Sequence, residues 1–423
     1  MKWSIYNELI THNGHVFLYN CFTEKVIAMD PALREVLSRQ DLKIIATIHP
    51  QLHKTLIHEN FIIEDNYDEC NACYEKLKKQ LASTNCIKLT INPTMDCNLR
   101  CWYCYEKHEN GSKMDDHTIE KINRYISKTM ILPTLKKFHI SFFGGEPLLQ
   151  YDKVIKTISG NFDTLCQNLE IKGLISITTN GILLTNDIIC DLKHFSTSKS
   201  IQVQFDGGRE FYNKIKKISG INSCYDIVIK NVISAIENNF LVNIRCNYTA
   251  ENLHSFKYLI EDLQNYKGYQ NLRVSFHKVW QAETNGKQTE ELLYLKDMLS
   301  DFRINSNLAH WSNTNRCYAD YDNNYVINYN GDIFKCTARN FNHENRLGYI
   351  SNNGDLTFNE KMQIRENGKI TNQCRECRLL PICKICSQHR FESGKCPGND
   401  AEKENASYNI KQHFIQLFKS AYE

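Results

Sequence analysis

A chain of 423 residues, at about 150 residues per domain, has room for roughly two to four domains. Its net charge of +3, without a long Lys/Arg run, argues against a nucleic-acid footprint and against a membrane-surface protein. No basic opening and long apolar stretch precede the alternation that starts within MKWSIYNEL. The expected location is therefore the cytoplasm, with no membrane insertion, and there the 18 cysteines read as metal ligands before they read as disulfides.

Residues 1–85 read as a small α+β, winged-helix-like module. Gly14 to Asn20 is a predicted strand and Lys25 to Met29 its partner. Asp30-Pro31 opens a short helix, with proline in the first turn where its missing N–H costs nothing. A second helix is predicted over Tyr67 to Leu81. It carries Cys70 and Cys73, read as incidental thiols because two ligands on a helix do not close a tetrahedral site.

The apolar run Ile87 to Ile91 leads into Cys97-Asn-Leu-Arg-Cys101-Trp-Tyr-Cys104, three thiols spaced CxxxCxxC. Soft sulfurs this close suit iron–sulfur iron, zinc or copper(I). Zinc normally takes a fourth Cys or His, and only His108 follows closely. Tyr103 stands beside whatever the thiols hold. Three cysteines leave one corner of a four-iron cluster free.

From 86 to about 305, short apolar runs alternate with amphipathic helices. Strands are predicted at Ile87–Asn92, Phe138–Phe143, Leu174–Thr178, Ile201–Phe205, Leu241–Asn247 and Leu272–Phe276. Helices are predicted at Thr118–Met130, Tyr151–Leu165, from Asn186, at Tyr225–Glu237, Leu253–Leu263 and Glu290–Phe302. Six strand–helix units predict an α/β fold with a parallel sheet curved into a partial (β/α)6 barrel, with function at the carboxyl ends of its strands. The polar motifs fall there. Gly144-Gly145-Glu146-Pro147 ends the second strand, Thr179-Asn180-Gly181 the third and Asp206-Gly207 the fourth, while Arg245 and Asn247 lie in the fifth. Singly, each is an ordinary turn or edge.

As a set, the CxxxCxΦC loop followed by a strand and GGEP resembles the radical S-adenosylmethionine (SAM) enzymes. The resemblance implies that Cys97, Cys101 and Cys104 hold a 4Fe-4S cluster whose open iron is chelated by SAM. It also implies SAM-binding roles for Tyr103, Gly144, Gly145, Glu146, Pro147, Thr179, Asn180, Asp206, Arg245 and Asn247.

After about residue 310 thiol spacing takes over. Cys317, Gly331 and Cys336 are spaced Cx13Gx4C, and Cys374, Cys377, Cys383, Cys386 and Cys396 follow. Tyr325 to Cys336 reads as a hairpin turning at Asn330-Gly331. Pure sulfur ligation means zinc or iron–sulfur. Residues 310–400 resemble the SPASM extension of radical SAM enzymes. That resemblance implies an auxiliary 4Fe-4S cluster on Cys317, Cys336 and Cys386 and a second on Cys374, Cys377, Cys383 and Cys396, making three clusters with the SAM-cleaving one. Two departures from the family pattern stand out: Cys383 and Cys386 are one residue closer than usual, and Trp311 sits where many relatives have a further cysteine. The first auxiliary cluster then has an open iron for water, a distant side chain or a substrate thiolate. Residues 401–423 are an amphipathic helix with Ile410, Phe414 and Leu417 at core spacing, expected to pack on the barrel.

The implied function is oxidative: a radical SAM/SPASM peptide maturase that installs a thioether or carbon–carbon crosslink in a ribosomally made precursor peptide. The module 1–85 resembles in size and position the precursor-recognition domains of such maturases, and an external reductant such as flavodoxin or ferredoxin is implied. Anaerobic sulfatase maturases, which make formylglycine, are a more distant resemblance. They commonly carry Asp as a base where this chain has Thr337, and they begin near the radical SAM core. The opposed reading is a non-enzymatic iron–sulfur or zinc interaction protein.

Overall fold

The computed structural model describes residues 1–282, 288–306, 316–383, 385–394, 396 and 405–422. By compactness the chain forms two units: Met1–Ala82 with Ser312–Asp322 and Gln363–Glu423, and Ser83–Trp311 with Asn323–Met362.

In the first unit, β1 (Lys2–Trp3) precedes β2 (Asn7–His12), β3 (His15–Asn20) and β4 (Lys25–Met29), followed by β5 (Ile62–Ile63). Strands β2, β3 and β4 form an antiparallel meander, and β1 pairs with β5. The first hairpin turns on Asn13 and Gly14, both at positive φ, as a tight two-residue turn requires. Helices α1 (Arg34–Ser38), α2 (Leu42–Ile48) and α3 (Pro50–His58) lie between β4 and β5, and α4 (Glu69–Leu81) follows β5, capped where the Asp68 carboxylate accepts from Asn71 N at 2.9 Å. The meander comes first and the helices largely after it, with β5 between α3 and α4, so the unit mixes strands and helices without showing a discrete winged-helix fold.

The C-terminal helix, Ala406–Tyr422, belongs to this unit, which corrects the expectation that it packs on the barrel. Phe17 and Tyr19, two apart on β3, point from one face. The Phe414 ring meets them at 5.1 and 5.5 Å, and His413 Nδ1 shares a 2.9 Å hydrogen bond with Tyr19 Oη. Residues 401–404 lie outside the described residues.

The second unit is built on β6 (Cys86–Ile91), β7 (Lys137–Phe142), β8 (Lys172–Thr179), β9 (Ser198–Phe205), β10 (Leu241–Tyr248), β11 (Leu272–Lys278) and β12 (Asn305–Ser306). These are parallel and lie side by side in chain order. Between them run α5 (Asp116–Met130), α6 (Lys156–Asn168), α7 (Asn186–Lys193), α8 (Arg209–Ile215), α9 (Cys224–Glu237), α10 (Phe256–Asp262) and α11 (Gln288–Asp301). Helix α5 buries Ile119, Ile122, Ile126 and Met130, the predicted face. Helix α8 was not predicted. The helix expected over Leu253–Leu263 divides into a 3-10 turn, Leu253–Ser255, and α10. Beyond β6 the sheet continues as β13 (Tyr325–Ile327), β14 (Asp332–Phe334), β15 (Gly348–Ile350) and β16 (Leu356–Phe358), so it is mixed and open. The predicted hairpin at Asn330-Gly331 is β13–β14, with Gly331 at φ +85°.

Parallel strands are usually apolar on both faces. Here one face carries Leu89, Ile140, Ile177, Val203, Ile244 and Val274 into the helix-covered core. The other carries polar rows, Thr90, Ser141, Ser176 and Ser200 in one and Gln202, Asn243 and Arg273 in another. A polar face on a parallel sheet is suited to water or a ligand rather than to core. Two of its histidines are held neutral: burial and the Lys88 charge push His139 down to about 3, and burial with Arg245 and Arg273 pushes His277 down to about 4. An unfolded imidazole takes up its proton near pH 6.5, so the stability these residues contribute is complete above that pH and falls as pH drops toward 4. His139→Gln is expected to flatten the pH dependence of the urea-unfolding free energy in that window by up to about 1.4 kcal/mol per pH unit, one proton's worth. An unchanged slope would mean that the imidazole is not neutral in the fold.

Candidate functional site

At the carboxyl ends of β6 to β11 a cavity of about 130 Å³ opens in the second unit. Its walls include all three loop thiols, together with Tyr103, Gly144, Gly145, Thr179, Asn180, Arg245 and Asn247. Glu146, Pro147 and Asp206, also expected to bind SAM, are buried behind these walls rather than lining them.

The double glycine brings two loops together. Backbone hydrogen bonds run from Phe143 N to Ile91 O (2.9 Å), Gly145 N to Thr94 O (3.1 Å) and Glu146 N to Asp96 O (2.8 Å), seaming the GGEP turn to the approach to Cys97. Gly144 sits at φ +99°, where side chains are disfavoured. A methyl on Gly145 would lie 2.6 Å from the Asp96 carbonyl carbon and closer still to its oxygen.

Glu146 fastens the next strand end to the same turn. Its Oε1 accepts from Leu148 N at 3.0 Å and Thr179 Oγ1 at 2.8 Å, and its Oε2 accepts from Asn180 N at 2.8 Å. Asn180 then reaches the thiol loop, donating from Nδ2 to Asn98 Oδ1 at 2.7 Å. On the other side, Tyr103 Oη donates to Asp206 Oδ1 at 2.6 Å and accepts from Asn247 Nδ2 at 3.4 Å, while Gln281 Nε2 donates to Tyr103 O at 3.0 Å. Arg245 Nε orients Asn247 through Oδ1 at 3.1 Å. At the mouth Tyr105 and Trp280 stack with centroids 5.4 Å apart, and Trp280 is 66% exposed.

Burial pushes the Cys97 thiol up to about 12 and that of Cys104 to about 11, and it raises Cys101 as well. All 18 cysteines are free of disulfides. His108 Nε2 lies 3.5 Å from Cys104 Sγ. Among the described residues no three Cys, His, Asp or Glu side chains converge as they would on a single metal ion. A cubane spreads its ligands over separate corners, so three thiols around one cavity fit what a cluster would need.

Of the seven later thiols, Cys336 belongs to the second unit and Cys317, Cys374, Cys377, Cys383, Cys386 and Cys396 to the first. Cys377 N donates to Cys374 O at 3.1 Å, and Arg390 directs a guanidinium N–H at Cys374 Sγ, 3.5 Å away. Trp311 lies outside the described residues.

Three contributors were not predicted. Glu106 lines the cavity with Oε1 buried and without a hydrogen-bond partner, and burial raises its carboxyl to about 8. Its place two residues after Cys104 was the available signal. Lys216 and Gln281 had none, because both reach the loop from distant segments.

A family model for the Radical SAM superfamily matches residues 91–263. The probable GTP 3′,8-cyclase of Methanocaldococcus jannaschii is 33% identical over 169 residues, 39% of this chain and 50% of that protein. The chain spans about half the length of the curated relatives it matches. Among solved structures, anSMEcpe with bound AdoMet and Kp18Cys peptide is 17% identical with a TM-score of 0.55, over 79% of this chain and 98% of that one. Streptococcus suis SuiB bound to precursor peptide SuiA is 17% identical with a TM-score of 0.50, over 90% and 94%. At such identity these two share the fold. The matched segment starts on β6, takes in the thiol loop and continues past β10, so the chain carries a Radical SAM superfamily domain followed by a cysteine-rich C-terminal extension, and the enzymatic reading replaces the interaction-protein one.

Proposed function

We propose that this enzyme is a peptide maturase that installs an oxidative crosslink, thioether or carbon–carbon, in a ribosomally made precursor. The observation that carries the reading is the thiol-lined cavity at the strand ends, open at an aromatic mouth. Cys97, Cys101 and Cys104 would hold the SAM-cleaving cluster, Cys317, Cys336 and Cys386 one auxiliary cluster, and Cys374, Cys377, Cys383 and Cys396 another. The chemistry such a cluster and SAM supply is one-electron cleavage to methionine and a 5′-deoxyadenosyl radical able to take hydrogen from unactivated carbon. The chain's own share is placement and exclusion. Gly144 and Gly145 let backbone close on the thiol loop, Asn180 and Asn247 offer amides to the polar parts of SAM, and Arg245 offers a cation for a carboxylate. Trp280 and Tyr105 give an incoming polypeptide apolar surface at the mouth.

Two likenesses support a peptide substrate: anSMEcpe and SuiB are both known with peptides bound. Residues 1–85 would recognise the leader segment, and a flavodoxin or ferredoxin would supply electrons. A formylglycine-forming activity is the second reading, supported by the likeness to anSMEcpe. Thr337 in place of the expected Asp base weighs against it.

The test is anaerobic incubation of the reduced, reconstituted enzyme with SAM and either a peptide encoded beside its gene or a cysteine-bearing sulfatase peptide. Loss of two hydrogens per crosslink from the first, without aldehyde formation in the second, is the expected result. A hydrazide-reactive aldehyde in the second peptide would replace the crosslinking reading with formylglycine formation.

A further inference from the structure

Tyr103, the residue directly before Cys104, is tied to a buried ion pair that no cavity wall requires. Asp206 Oδ1 takes the phenol hydrogen bond, and its Oδ2 faces Lys216 Nζ at 3.5 Å, both side chains fully buried. Lys216 closes α8, its backbone N–H bonding Tyr212 O at 2.8 Å. Its ammonium folds back to donate to Gln204 O at 3.1 Å and lies 5.2 Å from the Tyr212 ring centroid. Asn252 Nδ2 fixes the Asp206 backbone, donating to its carbonyl at 3.0 Å and to that of Asn247 at 3.1 Å. Burial disfavours the ammonium, yet the Asp206 carboxylate beside it keeps it in the charged form, well above its usual range.

A buried pair of this kind is poor value as a stabiliser, because apolar residues of the same volume usually hold a fold as well or better. What it does supply is a rigid acceptor for one phenol and a fixed positive charge behind the turn that carries two thiols. We propose that Lys216 is a positioning residue for the thiol loop: acting through Asp206 it fixes Tyr103, and thereby the placement and electrostatic surroundings of Cys101 and Cys104. This rests on the reading of the loop as a cluster site. The charge and hydrogen bonding around a cluster set its electronic properties, so the effect is visible in the spectrum of the metal as well as in turnover.

The experiment uses the reconstituted full-length enzyme as wild type, K216M, K216R, Y103F and the double variant K216M/Y103F. Iron content, the electron paramagnetic resonance spectrum of the reduced loop cluster with and without SAM, and the rate of 5′-deoxyadenosine formation are measured. K216M is expected to keep its iron, to shift the loop-cluster resonances, and to lose about ten- to a hundredfold in rate, the scale of a small misplacement. K216R is expected to restore most of both. The double variant should be no worse than the poorer single one, because both changes cut one chain of contacts. A wild-type spectrum and rate in K216M, or losses that multiply in the double variant, would overturn the proposal. If K216M cannot be loaded with iron, Y103F decides: it breaks the phenol link and leaves the ion pair intact, so an unshifted spectrum overturns the proposal and a shifted one sustains it. A wild-type protein that holds no iron and does not cleave SAM would instead remove the cluster reading itself.

Discussion

Alanine at Cys97, Cys101 and Cys104 together is expected to abolish 5′-deoxyadenosine formation and to lower iron from about twelve to about eight atoms per chain, with sulfide falling in step. The chain around the loop should survive the change. The loop is held by groups the substitution leaves alone: Met114 N donates to Pro93 O at 3.0 Å, Glu109 N to Met95 O at 3.1 Å, and Gly111 N to Asp96 Oδ2 at 2.9 Å. Circular dichroism and the urea midpoint should therefore stay close to wild type while the chemistry is lost. The raised thiols add a condition on loading. Cys97, near 12, and Cys104, near 11, are protonated at neutral pH, so metal binding must displace their protons. Reconstitution should accordingly be faster at pH 8.5 than at pH 7. Retained SAM cleavage in the triple variant, or zinc in place of iron in the wild type, would end the radical SAM assignment of this loop.

Gly145→Ala is expected to cost almost as much by a different route. The new methyl cannot coexist with the Asp96 carbonyl, and neither side can yield cheaply, because both are backbone and are seamed by the 3.1 and 2.8 Å hydrogen bonds on either side of the position. Overpacking of this kind costs about 1–3 kcal/mol. The displaced segment is the one that leads into Cys97, and a shift near 1 Å at a reacting group costs about a hundredfold in rate. SAM cleavage should fall by at least that factor with partial loss of loop iron. A control, Gly111→Ala, meets no atom within 4 Å and carries only the strain of its φ of +72°. It should lose roughly 1 kcal/mol and little activity. Equal effects of the two substitutions on cleavage would mean that the close approach at Gly145 is not what the glycine is for.

The catalytic half of the chain was largely legible in its sequence because its signals are local. The i, i+3, i+7, i+11 spacing of Ile119, Ile122, Ile126 and Met130 specifies the buried face of α5, and CxxxCxxC, GGEP and Thr-Asn-Gly each announce themselves within a few residues. What stayed hidden depends on partners far along the chain. Glu146 stands among the residues expected to bind SAM, but its oxygens already bind Leu148, Thr179 and Asn180, so its visible work is to lock two strand ends together. Nothing local tells that Asp206 belongs to Lys216 and Tyr103, or that Phe414 belongs to Phe17 rather than to the large sheet. The polar rows on the sheet were present in the strand alternation all along. In a parallel sheet that alternation is itself the sign of a face kept for something other than core.

The first unit is assembled from both ends of the chain, and this orders events during synthesis. Tyr19 and His413, hydrogen-bonded across 394 residues, leave the ribosome about 20–80 s apart at typical elongation rates. Through that interval β3 packs with Tyr6, Ile10, Cys73 and Leu77 but lacks the rings of the C-terminal helix, while the large sheet, complete by residue 362, can already fold. The meander is thus finished only after the large sheet has been made.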